Sequence, residues 1–225
     1  MSGKEVKIRF LGGAGEVGRS SIALSSENTT VLLDYGILLD HEPSFPLHIQ
    51  PRNLDGILLT HAHLDHSGGI PLFYLRGKIP LYTTKLTLKL SRILINDLIK
   101  LSGYFLPYED LNVDIMERCF IPVSYGKKFR IKDLSFEFKD AGHIPGSAQI
   151  IVKVAEDGTI KWIGELDEGL QILDGLLKDG NVVIAHMMAG ENGCIWYFKI
   201  VRNKGIKDEF MEHMKRIRWH VQGNR

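Results

Sequence analysis

His61-Ala62-His63-Leu64-Asp65-His66 follows directly on the apolar run Gly56-Ile57-Leu58-Leu59-Thr60, and this juxtaposition constrains the chain more than any other feature. The run is short, continuous and apolar, as in a buried strand. Four candidate metal ligands then fall within six residues. Neutral imidazoles and a carboxylate suit zinc and related divalent ions. His61 and His63 stand two residues apart, so an extended backbone sends both side chains to one side. Asp65 and His66 lie where the chain turns and can face a second position a few ångströms away. Two ions ~3.5–4 Å apart suit hydrolysis of a phosphoester or a similar bond. The plainer alternative, a run of surface histidines, does not explain this density of ligands behind a buried strand.

The 225-residue length fits one large domain or two small ones. A composition 44% hydrophobic and 24% charged is that of a globular chain and argues against disorder. No apolar run approaches the ~18–20 residues needed to span a bilayer. Met1-Ser2-Gly3-Lys4-Glu5 lacks the apolar core of a signal peptide, so no membrane partner is expected. The two cysteines, Cys119 and Cys194, make no disulfide framework, which fits a reducing, cytoplasmic setting. With 28 basic and 27 acidic residues the net charge is +1, which neither demands nor forbids a nucleic-acid partner.

Strands are expected at 7–11, 21–24, 31–33 and 56–60, with a polar hairpin turn at Glu27-Asn28-Thr29-Thr30. Residues 84–101 place Leu86, Leu90, Ile93, Leu94 and Ile99 at helical spacing, with Gly103 as the stop. Further strands are expected at 128–131, 135–138, 150–154, 160–163 and 182–185, with a hairpin around Asp157-Gly158. A short helix is expected to hold Ile172, Leu173, Leu176 and Leu177. From Lys199 onward the chain is rich in lysine and arginine, and residues 206–219 can form a helix burying Ile206, Phe210, Met214 and Ile217. The mixture points to an α/β domain over residues 1–198 and a basic, helical segment over 199–225.

Gly13-Ala14-Gly15-Glu16-Val17-Gly18 matches the dinucleotide-binding G-x-G-x-x-G pattern, and Asp34 lies about twenty residues on, where a ribose-binding acid would stand. That motif needs a helix beginning at its last glycines, because the pyrophosphate rests on the helix N-terminus. Arg19-Ser20-Ser21-Ile22-Ala23-Leu24-Ser25-Ser26 is strand-like instead, so a tight glycine turn between strands is the better reading. A third reading puts this loop beside an active site.

The H-x-H-x-D-H run resembles the signature of the metallo-β-lactamase superfamily. Leu11-Gly12-Gly13-Ala14-Gly15-Glu16-Val17-Gly18-Arg19-Ser20, Leu32-Leu33-Asp34-Tyr35-Gly36, Ser67-Gly68-Gly69-Ile70-Pro71 and Ala141-Gly142-His143-Ile144-Pro145-Gly146-Ser147-Ala148 are similar to motifs of its β-CASP nucleases, in order and over residues 6–165. That branch includes archaeal relatives of the nuclease subunit of the cleavage and polyadenylation specificity factor, and ribonuclease J. The resemblance implies an αββα sandwich with metals at one edge, here incomplete at the C-terminus. It implies one or two Zn2+ per chain, with His61, His63 and His143 on the first and Asp65 and His66 on the second. Asp34 matches the aspartate of the family's first motif and would orient the histidine loop from behind. The alternative for Asp34 is a strand-end aspartate capping a turn.

Two departures stand out. The family has an aspartate bridging both metals after the next strand, and here Glu165 holds that position in Trp162-Ile163-Gly164-Glu165-Leu166-Asp167, with Asp167 as a substitute two residues on. Only about 60 residues follow Glu165, so the family's inserted second domain is expected to be lacking. No late histidine motif is evident. His186, His213 and His220 read as structural or surface residues, and Cys194 as a small buried hydrophobe. Surface uncovered by a missing insert would favour a homodimer.

The resemblance therefore implies a metal-dependent hydrolase of RNA phosphodiesters. Metal would bring the pKa of a bound water towards ~7 for in-line attack, with Asp65 serving as a base besides its ligand role. RNA is the expected partner, with the basic C-terminal segment as a candidate track for phosphates. One alternative is a hydrolase of small esters or thioesters. Another is a catalytically weak module that binds RNA or protein.

Overall fold

Period-two alternation builds the first sheet from short strands. In the computed structural model, which describes residues 7–14, 16, 18–40, 42–154, 158–163, 182–189 and 193–199, β1 (Lys7–Gly12), β2 (Ser21–Ser25) and β3 (Thr30–Leu33) pair as an antiparallel meander. A small ribbon follows, made of β4 (Leu38–Leu39) and β5 (Pro43–Ser44). β6 (Gly56–Leu58) then joins β3 in parallel, β7 (Leu81–Thr83) joins β6, and β8 (Phe120–Pro122) joins β7. Parallel neighbours require crossovers. Between β6 and β7 the crossover is α1 (Leu64–Ser67) and a 3-10 turn at Ile70–Tyr74. Between β7 and β8 it is α2 (Lys85–Ser102) and α3 (Asp110–Arg118).

The second sheet runs β9 (Lys128–Ile131), β10 (Leu134–Asp140), β11 (Ala148–Val154), β12 (Gly158–Ile163), β13 (Val182–Ala189) and β14 (Gly193–Lys199) in spatial sequence. Its pairs are antiparallel except β12 with β13. β11 and β12 pair antiparallel with Val154 opposite Gly158, and the turn expected around Asp157 lies outside the described residues. β7 and β8 have no counterpart among the expected strands, because three residues are too few to display a period. The expected helices at 172–177 and 206–219, and the basic segment as a whole, lie outside the described residues. So does any outer helical layer on the second sheet.

Alternation sorts the first sheet's side chains between two cores. Ile22, Leu24, Val31, Leu33 and Leu58 face the second sheet and pack with Phe136, Phe138, Ile150 and Val152. Their neighbours Ala23, Leu32, Ile57 and Leu59 face the helices and pack with Leu88, Ile95, Leu98, Val113 and Met116. Helices, sheet and sheet thus form three successive layers. Phe136, 1% exposed and stacked on Phe129 at 5.5 Å between ring centroids, lies in the sheet-to-sheet core. Phe136→Ala should cost about 3–5 kcal/mol. Denaturant unfolding measures this, and a loss below about 1 kcal/mol would contradict that packing. Among the described residues no helix is long and apolar enough to cross a membrane.

α2 lies where the hydrophobic spacing places it, but with a different face inward. Its buried residues are Thr87, Leu88, Ser91, Ile95 and Leu98, while Leu86 is 45% and Ile93 57% exposed. The phase follows the helix start. Thr84 caps the first turn, its hydroxyl accepting Thr87 N–H at 3.1 Å, and both threonines contact the carbonyl of Gly146 on the loop between β10 and β11. A tertiary attachment of this kind outweighs a count of apolar residues. At the sandwich's other end, Asp133 accepts hydrogen bonds from Ser26 (2.9 Å) and Thr29, joining the β9–β10 turn to the β2–β3 turn.

Candidate metal centre

The histidine loop leaves β6 at the edge where β3 also ends. β3 is followed directly by Asp34, which adopts φ +55° and is fully buried. This conformation is uncommon except for residues such as aspartate and asparagine. Asp34 lies beneath the loop. Its Oδ1 accepts Thr60 N–H at 2.7 Å. Its Oδ2 accepts the Thr60 hydroxyl at 2.7 Å and His66 Nδ1 at 2.8 Å.

These contacts assign protons. A carboxylate only accepts, so His66 carries hydrogen on Nδ1, and in the neutral ring a metal needs its Nε2 holds the lone pair. The Thr60 hydroxyl has one proton and donates it to Asp34. Its 3.0 Å contact with His61 Nδ1 is then one in which histidine donates, leaving the His61 lone pair on Nε2. One buried carboxylate thereby sets the tautomer of two histidines, directly for His66 and through Thr60 for His61.

His61 Nε2 and His143 Nε2 each lie 3.1 Å from His63 Nδ1. The ligand atoms of these three residues all fall within 4.8 Å of one another. Ligand nitrogens around a tetrahedral zinc at ~2.0–2.1 Å stand ~3.3 Å apart, so the spacing fits a single divalent ion. His63 Nδ1 can carry one proton and cannot give both neighbours a linear hydrogen bond, whereas a shared cation serves all three. Burial lowers the pKa of His63, opposed by the charge of Asp65, and so favours the neutral imidazole that a metal requires. His61 and His66 are buried beneath, His63 and Asp65 are half-buried, and His143 is exposed at the rim. Asp65 Oδ2 lies 3.7 Å from His66 Nε2.

Backbone contacts hold the loop down. The carbonyls of Leu64, Asp65 and His66 accept from the amides of Ile37 (3.0 Å), Ser20 (2.8 Å) and Tyr35 (2.9 Å). Gly36 passes so close that a Cβ there would stand 1.6 Å from the Asp65 carbonyl oxygen. Ser20 ends the glycine-rich loop, which turns straight into β2 rather than into a helix. The dinucleotide pattern is thereby set aside. The loop instead braces the histidine segment. Glu16 and Arg19 pair across this turn, and the hydrogen bond from Arg19 holds the Glu16 carboxyl below its usual range.

Of the residues marked in the sequence, the structure brings His61, His63 and His143 together and places Asp65 and His66 beside them above Asp34. Glu165 and Asp167 lie outside the described residues, as do His213 and His220. His186 belongs to β13 and Cys194 to β14. Sequence reasoning missed Thr60, which relays Asp34 to His61. A polar residue closing the apolar run before His61 was the available signal. It also missed Thr84, Thr87 and Tyr125, which hold the His143 loop. Only the capping position of Thr84 was visible locally.

Residues 14–113 match the model of the Metallo-beta-lactamase superfamily. The fold agrees, since a metallo-beta-lactamase of Cronobacter sakazakii superposes with a TM-score of 0.53 at 16% identity, covering 79% of this chain and 74% of that one. The chain carries a metallo-β-lactamase domain, and the curated archaeal proteins it is similar to include two named as RNases and one named as a transcription termination factor. Probable RNase MJ4 of Methanocaldococcus jannaschii is 39% identical over 166 residues, which cover 72% of this chain and 39% of that protein. RNase aCSPSF2 of Saccharolobus solfataricus is 36% identical over 164 residues, 71% of this chain and 33% of that protein. Transcription termination factor FttA of Methanocaldococcus jannaschii is 34% identical over 161 residues, 67% of this chain and 25% of that protein. The chain thus matches two fifths or less of the length of these relatives.

Proposed function

We propose that this chain binds zinc through His61, His63 and His143 and hydrolyses RNA phosphodiesters. The observation that carries the reading is the convergence of three ring nitrogens, 3.1 Å apart in two pairs, at an exposed edge of the sandwich. The relatives named as RNases support RNA as the substrate. A divalent ion there supplies Lewis acidity, activating water near neutral pH and neutralising charge on phosphate oxygens.

The chain's own residues have distinct tasks. Asp34 and Thr60 hold His61 and His66 with their lone pairs outward. Asp65 and His66 would hold a second ion with Glu165, and the partly exposed carboxylate of Asp65 would take a proton from the attacking water. His143 closes the centre from the second sheet. A net charge of +1 gives little long-range attraction, so RNA would be gripped by local contacts.

The test uses labelled RNA, the purified chain, and the His143→Ala variant prepared in parallel. Zinc-supported cleavage is expected from the chain, with loss in a chelator, recovery on adding zinc, and a fall of about 100-fold or more in the variant. Cleavage that survives chelation, or that the variant retains in full, would overturn the reading.

A further inference from the structure

We infer that Thr87, assisted by Thr84 and Tyr125, sets the position of His143 in the metal centre. The inference rests on the proposed role of His61, His63 and His143 as ligands. His61 and His63 share one short segment, but His143 comes from the second sheet, 80 residues beyond His63. It is exposed, on the loop between β10 and β11. A ligand so placed keeps its geometry only if the backbone beneath it is held.

Three hydroxyls hold it. Thr87 Oγ1 lies 2.6 Å and Thr84 Oγ1 2.9 Å from the Gly146 carbonyl oxygen. Each hydroxyl has one proton, so Thr87 donates to the carbonyl, and Thr84 donates either there or to Thr87 Oγ1, 3.0 Å away. Thr84 keeps its lone pairs for the Thr87 amide, which caps α2. Gly146 adopts φ +86°, and a Cβ on it would stand 2.8 Å from both Thr84 Oγ1 and Thr87 N. Only glycine lets its carbonyl rest on the first turn of α2, where the helix dipole also favours a carbonyl oxygen.

The hold passes along the loop. Ser147 Oγ accepts the amides of His143 and Ile144 at 3.3 Å each, and the Tyr125 hydroxyl donates to the Ser147 carbonyl at 2.7 Å. On the far side the Ala148 amide donates to the Thr60 carbonyl at 2.9 Å, the same Thr60 that contacts His61. The third ligand is therefore tied to the helix following β7 and to the strand carrying the other two. The threonines are not among the proposed ligands, and they act as positioning residues.

Two readouts test this. Amide hydrogen exchange over residues 141–148 is measured in metal-free protein, and zinc affinity is measured by competition with a chelator. Thr87→Val keeps the shape and removes the donor. It should speed loop exchange about tenfold and weaken zinc on the order of 10–100-fold. Thr87→Ser restores the hydroxyl and should recover affinity to within about threefold of the parent. Tyr125→Phe alters an exposed ring and carries the test if Thr87→Val does not fold. It should move both readouts in the same direction by about three- to tenfold.

Parental exchange and affinity in Thr87→Val, or in Tyr125→Phe where that variant carries the test, would overturn the inference. So would a Thr87→Ser variant as weak as Thr87→Val. A parent chain that takes up no zinc would instead sink the ligand reading. In that case faster loop exchange in Thr87→Val would still show the clamp on the loop.

Discussion

Asp34→Asn should weaken metal binding on the order of 10–100-fold, and RNA cleavage with it, while leaving the side chain's shape unchanged. The carboxylate receives three hydrogen bonds: Thr60 N–H on Oδ1, and the Thr60 hydroxyl and His66 Nδ1 on Oδ2. An asparagine must turn its NH2 towards one of these oxygen positions. Donor then meets donor in a fully buried place, at a cost of roughly 1–3 kcal/mol for each group left unmade. The chain can relieve the clash by moving the His66 proton to Nε2, or by rotating the Thr60 hydroxyl towards His61 Nδ1. Either move puts hydrogen on the nitrogen that should hold a lone pair. Chelator competition gives the affinity, and nitrogen NMR of the histidines gives the tautomers. An Asp34→Asn variant with parental affinity and His66 still protonated on Nδ1 would refute the assignment.

Gly36→Ala should be the more damaging change, although it adds one methyl group and removes no hydrogen bond. The new carbon would stand 1.6 Å from the Asp65 carbonyl oxygen and 2.6 Å from His66 N, both backbone atoms with no rotamer to relax into. Relief requires separating the segment after β3 from α1. That breaks the pairing of Tyr35 with His66 and of Ile37 with Leu64. The expected loss is at least about 3 kcal/mol of stability, together with most of the metal affinity. Thermal unfolding and metal content per chain measure the two effects. A Gly36→Ala variant with an unchanged midpoint and unchanged metal would show that the two segments are not in contact.

What the sequence displayed depended on range. The run from His61 to His66 was legible because its candidate ligands and the strand that precedes them are adjacent. His143 was legible only through the glycine, proline and serine around it, whose turn the structure shows. The hold on that turn was hidden, because Thr84, Thr87 and Tyr125 meet it across 62, 59 and 22 residues. The inward face of α2 was hidden for the same reason. Leu86 and Ile93 have the spacing of a core stripe, but the anchoring of Thr84 and Thr87 turns them outward. The glycine-rich loop mimicked a nucleotide site because glycines serve any tight turn. The element after the turn, strand or helix, distinguishes the two.

The division of the proposed ligands between the sheets joins two quantities usually measured apart. His61 and His63 belong to one sheet and His143 to the other, so an ion held by all three binds the docked sandwich and not its separated halves. By mass action, free zinc at about a hundred times its dissociation constant would stabilise the docked state by about 2.7 kcal/mol. The Asp133 junction at the opposite end is independent of zinc, so depletion would loosen the sandwich from the histidine edge inward. Under the proposed zinc reading, zinc supply would govern how long the domain survives.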